Sequence, residues 1–458
     1  MNAISQLLSQ LPRDNHYCVA FSGGLDSTVL LHAVVEALPK GQVRAIHIHH
    51  GLSPNADQWQ QHCETTCAQW NVPLTTVRVN VQTDGKGLED AARQARYHAF
   101  EQHLKPGDIL LTAHHSDDQV ETLLLRLARG SGPRGLAGMA SARPLGQGEL
   151  WRPLLPVSRE TLLAYGREHE LQWIDDESNE DPRFDRNYLR HQVLPPLRRR
   201  WPELGEQWGA SAALCGEADQ LLREYARDDL ERLTVDAPGV VPEPSPVLSL
   251  NGLRALSASR RQWVLRCWCE TSGAGLPTRE ALAQIEAQLI QGREDAQALV
   301  AVGDRSVRRF RGGLYLVPAL TGGESPEGPV PLSLEGKYAS VDLPGGGALQ
   351  VEWGGEADVR LSAHLGPLTL RWRRGGERCQ PVGRAHSQTL KKLLLEYELP
   401  PWWRERIPLV YSGETLVAVP SLWVCEGFQA AEGESGYRLR WFPEVVFEQA
   451  WQPAAGKF

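Results

Sequence analysis

The sequence lacks the features of a membrane or exported protein. No apolar run in its 458 residues approaches the roughly 20 residues that cross a bilayer. The N-terminal segment has no basic region followed by an apolar stretch, so no signal peptide is expected. Its eight cysteines are scattered along a long chain, which is typical of reduced thiols. These absences predict a cytoplasmic protein with no membrane partner.

Cysteine motifs for metal are also lacking. Cys63 and Cys67 are four residues apart and Cys267 and Cys269 are two apart, but neither pair has a matching second pair at zinc or iron–sulfur spacing. None of the eight cysteines falls within the polar clusters described below. We expect them to pack in the interior.

A Walker A motif is absent, and the one apparent dinucleotide motif fails in its context. Residues 130–135, GSGPRG, match the pattern G-x-G-x-x-G, but they follow a predicted helix rather than a strand. We expect Pro133 to prevent a helix from starting there. The segment is interpreted as a flexible turn, or as a loop that contacts RNA through Arg134.

The average charge argues against a nucleic-acid partner, but local patches do not. The chain carries a net charge of −8. Between residues 371 and 410, however, nine Lys and Arg face four Glu, and between 183 and 201 six Arg face one Asp. Such patches can bind phosphate, although a solvated charged surface explains the composition equally well.

The order of strand and helix signals predicts the fold class. The first 130 residues alternate short apolar runs with helical patterns, which indicates a doubly wound α/β domain with a parallel sheet. Long helical patterns with a few short strands follow, and then a Gly/Pro-rich stretch and a compact region of mixed α+β character. We predict a catalytic domain over 1–205, a mainly helical middle domain over 206–320, a linker over 321–347 and a C-terminal domain over 348–445.

The first strand ends in Ser22-Gly23-Gly24-Leu25-Asp26-Ser27. Glycines allow a tight turn whose amides approach a ligand, and the following helix N-terminus attracts anions. We expect Ser27 to cap that helix. Asp26 would repel phosphate unless Mg²⁺ bridges the two or the carboxylate polarises the attacking group. The pattern predicts a phosphate site.

Two further polar clusters fall at predicted strand ends, where ligands bind on such sheets. In the first, His47 and His49 share one strand face and His50 does not, which favours a nucleotide site over a zinc site. In the second, Asp117 and Glu121 share a helix face with Asp118 beside them. The acids of this second cluster can bind an ammonium group, or they can be ordinary first-turn acids favoured by the helix dipole.

Several segments together carry a family resemblance. The opening loop resembles the SGGxDS loop of the N-type ATP pyrophosphatases. The segments IHIHHGL, ARQARY, TAHHSDDQVET, RGSGPRGL and WIDDESNEDPRFDRNYLR are similar to those of the bacterial tRNA(Ile)-lysidine synthetases, and residues 373–411 resemble that family's tRNA-binding module. The resemblance covers nearly the whole chain.

The resemblance implies an activity. Members adenylate the carbonyl oxygen at carbon-2 of the wobble cytidine in the isoleucine tRNA with anticodon CAU, and the ε-amine of L-lysine then attacks carbon-2 and displaces AMP. ATP and Mg²⁺ are the implied cofactors, with tRNA(Ile), L-lysine and a possible second copy of the chain as partners.

Site residues follow from the same resemblance, position by position. The residues expected to bind ATP are Ser22, Gly23, Gly24, Leu25, Asp26, Ser27 and His47. Those expected to be catalytic are Asp26, Arg96, Asp117, Asp118 and Arg186. Lysine is assigned to Asp117, Asp118 and Glu121, and Mg²⁺ to Asp26. Contacts with tRNA are assigned to Arg134, Arg190, Arg373, Arg374, Lys391, Lys392, Trp402, Arg404 and Arg406. Arg93 is a weaker candidate for phosphate contact, and Asp175–Glu177 form a second acidic cluster that could brace Arg186 and Arg190.

Rival functions differ in what they require. A tRNA thiolase with the same loop needs reactive cysteines or an iron–sulfur cluster near the nucleotide. A small-molecule amide ligase has no use for a basic C-terminal module that carries Trp402 and Trp403. A non-enzymatic tRNA-binding protein would not need an intact Asp26.

Overall fold

The structure is a computed structural model, and it describes residues 3–81, 88–175, 183–235, 245–293, 298–318, 328–334, 338–344, 346–354 and 360–443. The chain divides into two compact units, residues 1–221 and 222–458. No helix in these described ranges has the length and apolar character of a membrane span.

The first unit is built on a six-stranded sheet in the order β3-β2-β1-β4-β6-β5. Its strands are β1 (His16–Ala20), β2 (Val43–His49), β3 (Leu74–Arg78), β4 (Asp108–Leu111), β5 (Ala142–Leu145) and β6 (Gly148–Trp151). All neighbouring strands pair in parallel except β5, which forms an antiparallel hairpin with β6. The predicted doubly wound α/β fold is confirmed, with the hairpin as an unpredicted addition.

Ten helices lie between residues 3 and 233 of the described chain, and both faces of the sheet are covered. They are α1 (Ala3–Leu8), α2 (Leu25–Ala37), α3 (Ala56–Gln69), α4 (Leu88–His103), α5 (Ser116–Ala128), α6 (Pro133–Leu136), α7 (Arg159–Glu168), α8 (Asp185–Tyr188), α9 (Leu194–Arg200) and α10 (Leu204–Leu233), with a π-helical turn at Leu189–Val193. In β1, Tyr17 and Val19 pack into one core with Leu30 of α2, whereas Cys18 packs into the opposite core with Phe100 of α4. The alternation explains why the strand is apolar throughout, since each of its faces is buried.

The second unit begins with helices and an antiparallel sheet. The helices are α11 (Leu250–Ala255), α12 (Ala258–Thr271) and α13 (Arg279–Gln284), followed by a π-helical turn at Ile285–Ile290. The strands β7 (Thr234–Val235), β8 (Val247–Ser249), β9 (Leu299–Val302), β10 (Arg305–Phe310) and β11 (Gly313–Pro318) pair in the order β7-β8-β11-β10-β9. The middle region is therefore helical as expected, and its short strand signals assemble into a five-stranded sheet.

The C-terminal part consists of short antiparallel strands around one helix. Its elements are β12 (Val330–Leu332), β13 (Tyr338–Asp342), β14 (Ala348–Gly354), β15 (Leu368–Arg371), β16 (Arg378–Cys379), β17 (Gln388–Thr389), α14 (Leu390–Glu396), β18 (Leu409–Ser412), β19 (Thr415–Val419), β20 (Trp423–Val424) and β21 (Gly436–Phe442). They form the sheets β12-β15-β18-β19-β20 and β13-β14-β21 and the pair β16-β17.

The prediction that residues 321–347 are a linker is wrong for their second half. Strand β12 pairs with β15, and β13 pairs with β14, so both belong to the C-terminal sheets. The glycines and prolines around these short strands masked their alternating pattern. The segment 321–327 lies outside the described residues.

Candidate active site

The loop after β1 has the geometry of a phosphate site. Gly23 has φ +86°, and a Cβ atom there would lie 3.0 Å from Cys63 Sγ and 3.1 Å from Ile174 Cδ1. Glycine is therefore required at this position for both conformation and space. Helix α2 begins immediately afterwards, and its 13 residues direct their N-terminal amides at the loop.

Ser27 does not cap this helix, contrary to the sequence prediction. The N-cap position is Gly24, which has no side chain to offer. Ser27 lies inside the first turn, where its hydroxyl donates to Gly24 O at 3.0 Å and accepts from Ser22 N at 3.2 Å. The Oγ atoms of Ser22 and Ser27 are also 3.0 Å apart. Ser27 thus closes the loop on itself.

Asp26 points from the first turn of α2 toward the loop that follows β4. Its Oδ2 atom lies 3.5 Å from His115 Nε2. Its Oδ1 atom is buried and has no hydrogen-bond partner among the described residues. An unsatisfied carboxylate oxygen beside an anion-binding turn fits a cation that bridges to phosphate. The arrangement is compatible with the Mg²⁺ site expected at this residue.

His115 is the centre of the site, and the sequence prediction did not include it. The side chain is 1% exposed, and its ring nitrogens lie 3.4 Å from Asp117 Oδ2 and 3.5 Å from Asp118 Oδ2 as well as beside Asp26. Burial lowers the pKa of His115, but these three carboxylates outweigh it and raise the pKa to about 10. A signal existed, because two histidines are separated from two aspartates by a single serine, Ser116, in the sequence.

Asp117 and Asp118 are fixed in the first turn of α5. Asp117 accepts from the backbone N–H of Arg159 at 2.9 Å and pairs with Arg198. Although burial opposes the shift, these contacts and His115 hold the pKa of Asp117 well below its usual range. Asp118 accepts from the backbone N–H of His115 at 3.1 Å. Both carboxylates lie at the carboxyl end of β4, where the sequence placed them.

Glu121 is completely buried and bound by an arginine. Arg190 Nε donates to Glu121 Oε1 at 2.8 Å, and Arg190 Nη2 donates to Oε2 at 3.1 Å. Burial raises the pKa of Glu121, and Arg190 opposes that rise. Arg190 also lies 3.6 Å from Asp118, while Arg186 donates to Thr122 at 3.3 Å. The predicted lysine-binding and RNA-binding residues Glu121 and Arg190 are thus partners of each other.

The histidines at the end of β2 do not form a metal cluster. His47 Nδ1 lies 2.9 Å from the carbonyl oxygen of Phe21, and His49 Nε2 lies 3.1 Å from Asp57. Burial lowers the pKa of His47 against the effect of the Phe21 contact. Across the part of the chain that the structure describes, no three His, Cys, Asp or Glu are grouped to hold a metal ion.

One cysteine does reach a polar cluster, contrary to the prediction. Cys63 of α3 lies 3.5 Å from His47 Nδ1 and against Gly23. Helix α3 brings it there, which a linear reading of the chain could not show. Burial raises the pKa of Cys63 to about 12, so the thiol stays protonated and fills space beneath the loop.

Arg93 and Arg96 lie on α4, close to the ends of β2 and β4. Burial lowers the pKa of His50 to about 4, with Arg96 contributing to the shift. Burial also lowers the pKa of His114 to about 3, although Asp118 opposes the shift, and both arginines contribute to it. Arg96 is therefore close to His50 and His114 at these strand ends.

The segment that carries Arg134 is a short helix, so the expectation that Pro133 would prevent one is wrong. Proline occupies the first turn of α6, where its missing N–H costs no hydrogen bond. Arg126 donates to Gly135 O at 2.6 Å and anchors the turn to α5. Arg134 is exposed on it. Because a helix precedes the glycines, the dinucleotide motif still fails.

In the C-terminal part, the lysine and tryptophan candidates differ in exposure. Lys391 and Lys392 are exposed on α14, on the side opposite its buried leucines. Trp402 is only 7% exposed and packs edge-on against Tyr315 at 5.2 Å, so its ring is covered by the protein and does not present a face for the predicted tRNA contact. Trp403 is fully buried against Trp441. The sequence could not separate core tryptophans from surface ones.

The basic candidates around these tryptophans are partly covered. Arg374 is exposed, whereas Arg373, Arg404 and Arg406 are half-buried. Arg404 donates to Leu399 O at 2.8 Å. Of the acidic cluster Asp175–Glu177, only Asp175 lies within the described residues, where it is exposed.

An α/β sheet whose first strand ends in a glycine-bearing anion loop defines the class of this protein. Residues 1–197 match the family model described as a PP-loop domain. Two more family models match further on, the TilS substrate binding domain over 248–315 and the TilS substrate C-terminal domain over 368–441. The chain belongs to the tRNA(Ile)-lysidine synthase family.

Relatives that match over nearly the whole chain support this assignment. The tRNA(Ile)-lysidine synthase of Serratia proteamaculans is 43% identical over 95% of this chain and 98% of its own length. That of Coxiella burnetii is 39% identical over 95% of both chains. Among solved structures, a U34-tRNA thiolase from Methanococcus maripaludis aligns with 46% of this chain and 77% of its own at 15% identity and a TM-score of 0.37.

Proposed function

We propose that this protein ligates L-lysine to carbon-2 of the wobble cytidine of CAU-anticodon tRNA(Ile), using ATP and releasing AMP and diphosphate. The observation that carries the proposal is the contact of His115 with Asp26 on one side and with Asp117 and Asp118 on the other. This contact links the phosphate loop to Asp117 and Asp118, the carboxylates proposed to bind the amine of lysine. The product pairs with A, which changes codon specificity from AUG to AUA and charging identity from methionine to isoleucine.

The first half of the reaction needs an activated base. The carbonyl oxygen at carbon-2 of cytidine is a poor leaving group until AMP is attached to it. Amides of the loop at Ser22–Ser27 and the N-terminus of α2 would hold the phosphates and stabilise the departing diphosphate. Arg96 and Arg186 would add positive charge on the developing anion.

The second half needs a neutral amine. Free lysine has a side-chain pKa near 10.4 and arrives as an ammonium ion. Asp117, whose pKa lies below its usual range, stays ionised at neutral pH and would bind that ion together with Asp118. Glu121 would contribute through its contact with Arg190, which borders Asp118.

Mg²⁺ would be held by Asp26, whose unsatisfied Oδ1 suits it, and would neutralise phosphate charge. A carboxylate ligand shared with phosphates is the usual arrangement for this ion. Substrate phosphates and water would supply further oxygen ligands.

The C-terminal part would bind the tRNA outside the anticodon. Arg374, Lys391 and Lys392 are exposed there, and phosphate contacts would give salt-dependent affinity. Arg373, Arg404 and Arg406 would add partly covered positive charge, and Arg134 would contact the RNA nearer the site. We also propose that the protein forms a homodimer and that it is located in the cytoplasm.

The rival functions have less support. The relatives from Serratia proteamaculans and Coxiella burnetii, which match over nearly the whole chain, are tRNA(Ile)-lysidine synthases. Cys63, the thiol beside the loop, has a pKa raised by burial, which is the reverse of an activated cysteine. Asp26 is present and contacts His115, as the proposed reaction requires and a non-enzymatic tRNA-binding protein would not.

The experiment is incubation of the purified protein with ATP, radiolabelled lysine and unmodified tRNA transcripts. Label should enter the isoleucine tRNA with anticodon CAU, with AMP and diphosphate as co-products. Methionine tRNA with the same anticodon is the control and should stay unlabelled. Formation of ADP and orthophosphate, or labelling of both tRNAs, would contradict the proposal.

A further inference from the structure

Four basic or aromatic side chains form a cluster that the proposed mechanism does not use. The ring of Tyr97 on α4 has the guanidinium of Arg93 at 4.9 Å and that of Arg143 at 5.2 Å. Arg152, directly after β6, hydrogen-bonds the Tyr97 hydroxyl. We call Arg93, Tyr97, Arg143 and Arg152 the Tyr97 cluster. Three separate elements converge to build it.

The Tyr97 cluster has no internal counter-charge. Within the described ranges, its arginines contact Tyr97 and the backbone carbonyls of Pro144 and Ala140, and none contacts a carboxylate. Arg152 is only 4% exposed, and its buried Nε has no hydrogen-bond partner. Burying a guanidinium beside two others without an anion is costly. Such an arrangement favours binding of an anion from outside.

The Tyr97 cluster lies near the phosphate loop but is not part of it. Strand β6 neighbours β4, which neighbours β1, so the cluster lies two strands from the phosphate loop, on the order of 10 Å away. His114, between them at the end of β4, has its pKa lowered by burial and then by arginines that include Arg152 and Arg93. The cluster borders the active site but is separate from the loop.

We propose that the Tyr97 cluster binds a backbone phosphate of the RNA substrate, next to the nucleotide that enters the active site. The inference rests on the proposed function and adds a binding site to it. Guanidinium groups pair with phosphate oxygens through two parallel hydrogen bonds, and Tyr97 holds two of them in fixed positions. A phosphate of ATP is the other source of the same chemistry, but the loop after β1 already provides for it.

The test uses the full-length double variant Arg93→Gln/Arg143→Gln, which leaves the buried Arg152 in place. Affinity for unmodified tRNA(Ile) transcript, measured without ATP or lysine, should fall at least tenfold. The slope of log affinity against log salt should decrease by about 0.7, since one single-strand phosphate contact contributes about 0.7. KM for ATP should stay within twofold. Arg167→Gln, an exposed arginine of α7, is the matched control and should change none of these.

A second measurement locates the phosphate. Transcripts are assembled with one neutral methylphosphonate linkage at each position around the wobble nucleotide. The wild-type protein should lose affinity at one linkage, and the double variant should lose nothing further there.

The outcomes separate the two proposals. Unchanged RNA affinity in the double variant, or a rise in KM for ATP alone, would overturn the Tyr97 assignment while lysidine formation by the wild type stands. Wild-type protein that binds tRNA through the cluster yet forms no lysidine would overturn the proposed function alone. Wild-type protein that does not bind the transcript would overturn both.

Discussion

The Nε2 atom of His115 lies 3.5 Å from a carboxylate oxygen of Asp26 and 3.5 Å from one of Asp118. The two aspartates belong to different helices and follow different strands, β1 and β4, which are neighbours in the sheet. A single buried ring therefore fixes the distance between the phosphate loop and the carboxylates at the end of β4. Any substitution at His115 should therefore alter both the phosphate loop and the carboxylates at the end of β4.

Replacing Asp26 should abolish adenylation without unfolding the protein. Asp26→Ala removes the carboxylate beside the phosphate loop, but the turn depends on Gly23 and on the Ser27 hydrogen bonds. We expect AMP formation to fall by at least about 100-fold, the typical contribution of a charge in the active site. The thermal midpoint should stay within a few degrees. Asp57→Asn, an exposed first-turn aspartate of α3, is the control, and retained activity in Asp26→Ala would remove Asp26 from the mechanism.

Replacing His115 should destabilise the first unit in a pH-dependent way. A histidine whose folded pKa is raised to about 10 stabilises fully below its unfolded value near 6.5, and this contribution is lost as pH rises toward 10. His115→Gln should therefore cost on the order of 3 kcal/mol at pH 6 and much less at pH 10.

Urea unfolding at pH 6, 8 and 10 without nucleotide or Mg²⁺ measures this difference. The exposed His98→Gln on α4 serves as the control. A cost for His115→Gln that does not vary with pH would show that the ring is held by packing rather than by its charge.

The Glu121–Arg190 ion pair should matter more to stability than a surface pair of the same type. Glu121→Gln removes the nearer charge partner of a half-buried guanidinium and leaves it only Asp118 at 3.6 Å, which we expect to cost about 3 kcal/mol. Glu414→Gln breaks the pair with Arg371, in which Glu414 is 87% exposed, and should cost at most about 1 kcal/mol. Denaturation midpoints of the two variants, compared with the wild type, check the contrast. Equal costs would contradict it.

Alanine at Gly23 should destabilise the protein much more than alanine at Gly24. Gly23→Ala places a Cβ at φ +86° against Cys63 and Ile174, which should cost about 2 kcal/mol or more. Gly24 has φ −75°, and its nearest contact would be 3.7 Å away, so Gly24→Ala should cost less than about 0.5 kcal/mol. Thermal unfolding of the ligand-free variants provides the measurement. Comparable losses would mean that the backbone conformation at Gly23 is not what requires glycine.

Substitution of Trp402 should affect folding, whereas substitution of Lys391 and Lys392 should affect RNA binding. Trp402→Ala empties a core site and should destabilise the second unit by about 3–5 kcal/mol. Lys391→Gln/Lys392→Gln should leave stability unchanged within about 0.5 kcal/mol and weaken tRNA binding more at low salt than at high salt. Paired measurements of unfolding and tRNA affinity test this. Weak RNA binding by a fully stable Trp402→Ala protein would support the direct contact of Trp402 with tRNA that the sequence predicted.

Local patterns were sufficient for the elements and for part of the site. Alternating strand and helix signals placed Ser22–Ser27, His47 and Asp117 at strand ends, because a short apolar run followed by a polar turn can be recognised without its partners. The family resemblance added the reaction. The parallel arrangement of β1, β2 and β4 followed from the alternation itself.

Tertiary structure decided what depends on contacts between distant segments. The burial of Trp402, the approach of Cys63 to the loop, and the pairing of β12 and β13 with later strands require neighbours that lie far away in the chain. The ionisation of His115 is of the same kind. Its three carboxylates come from two helices, and only their convergence around a ring removed from water raises its pKa.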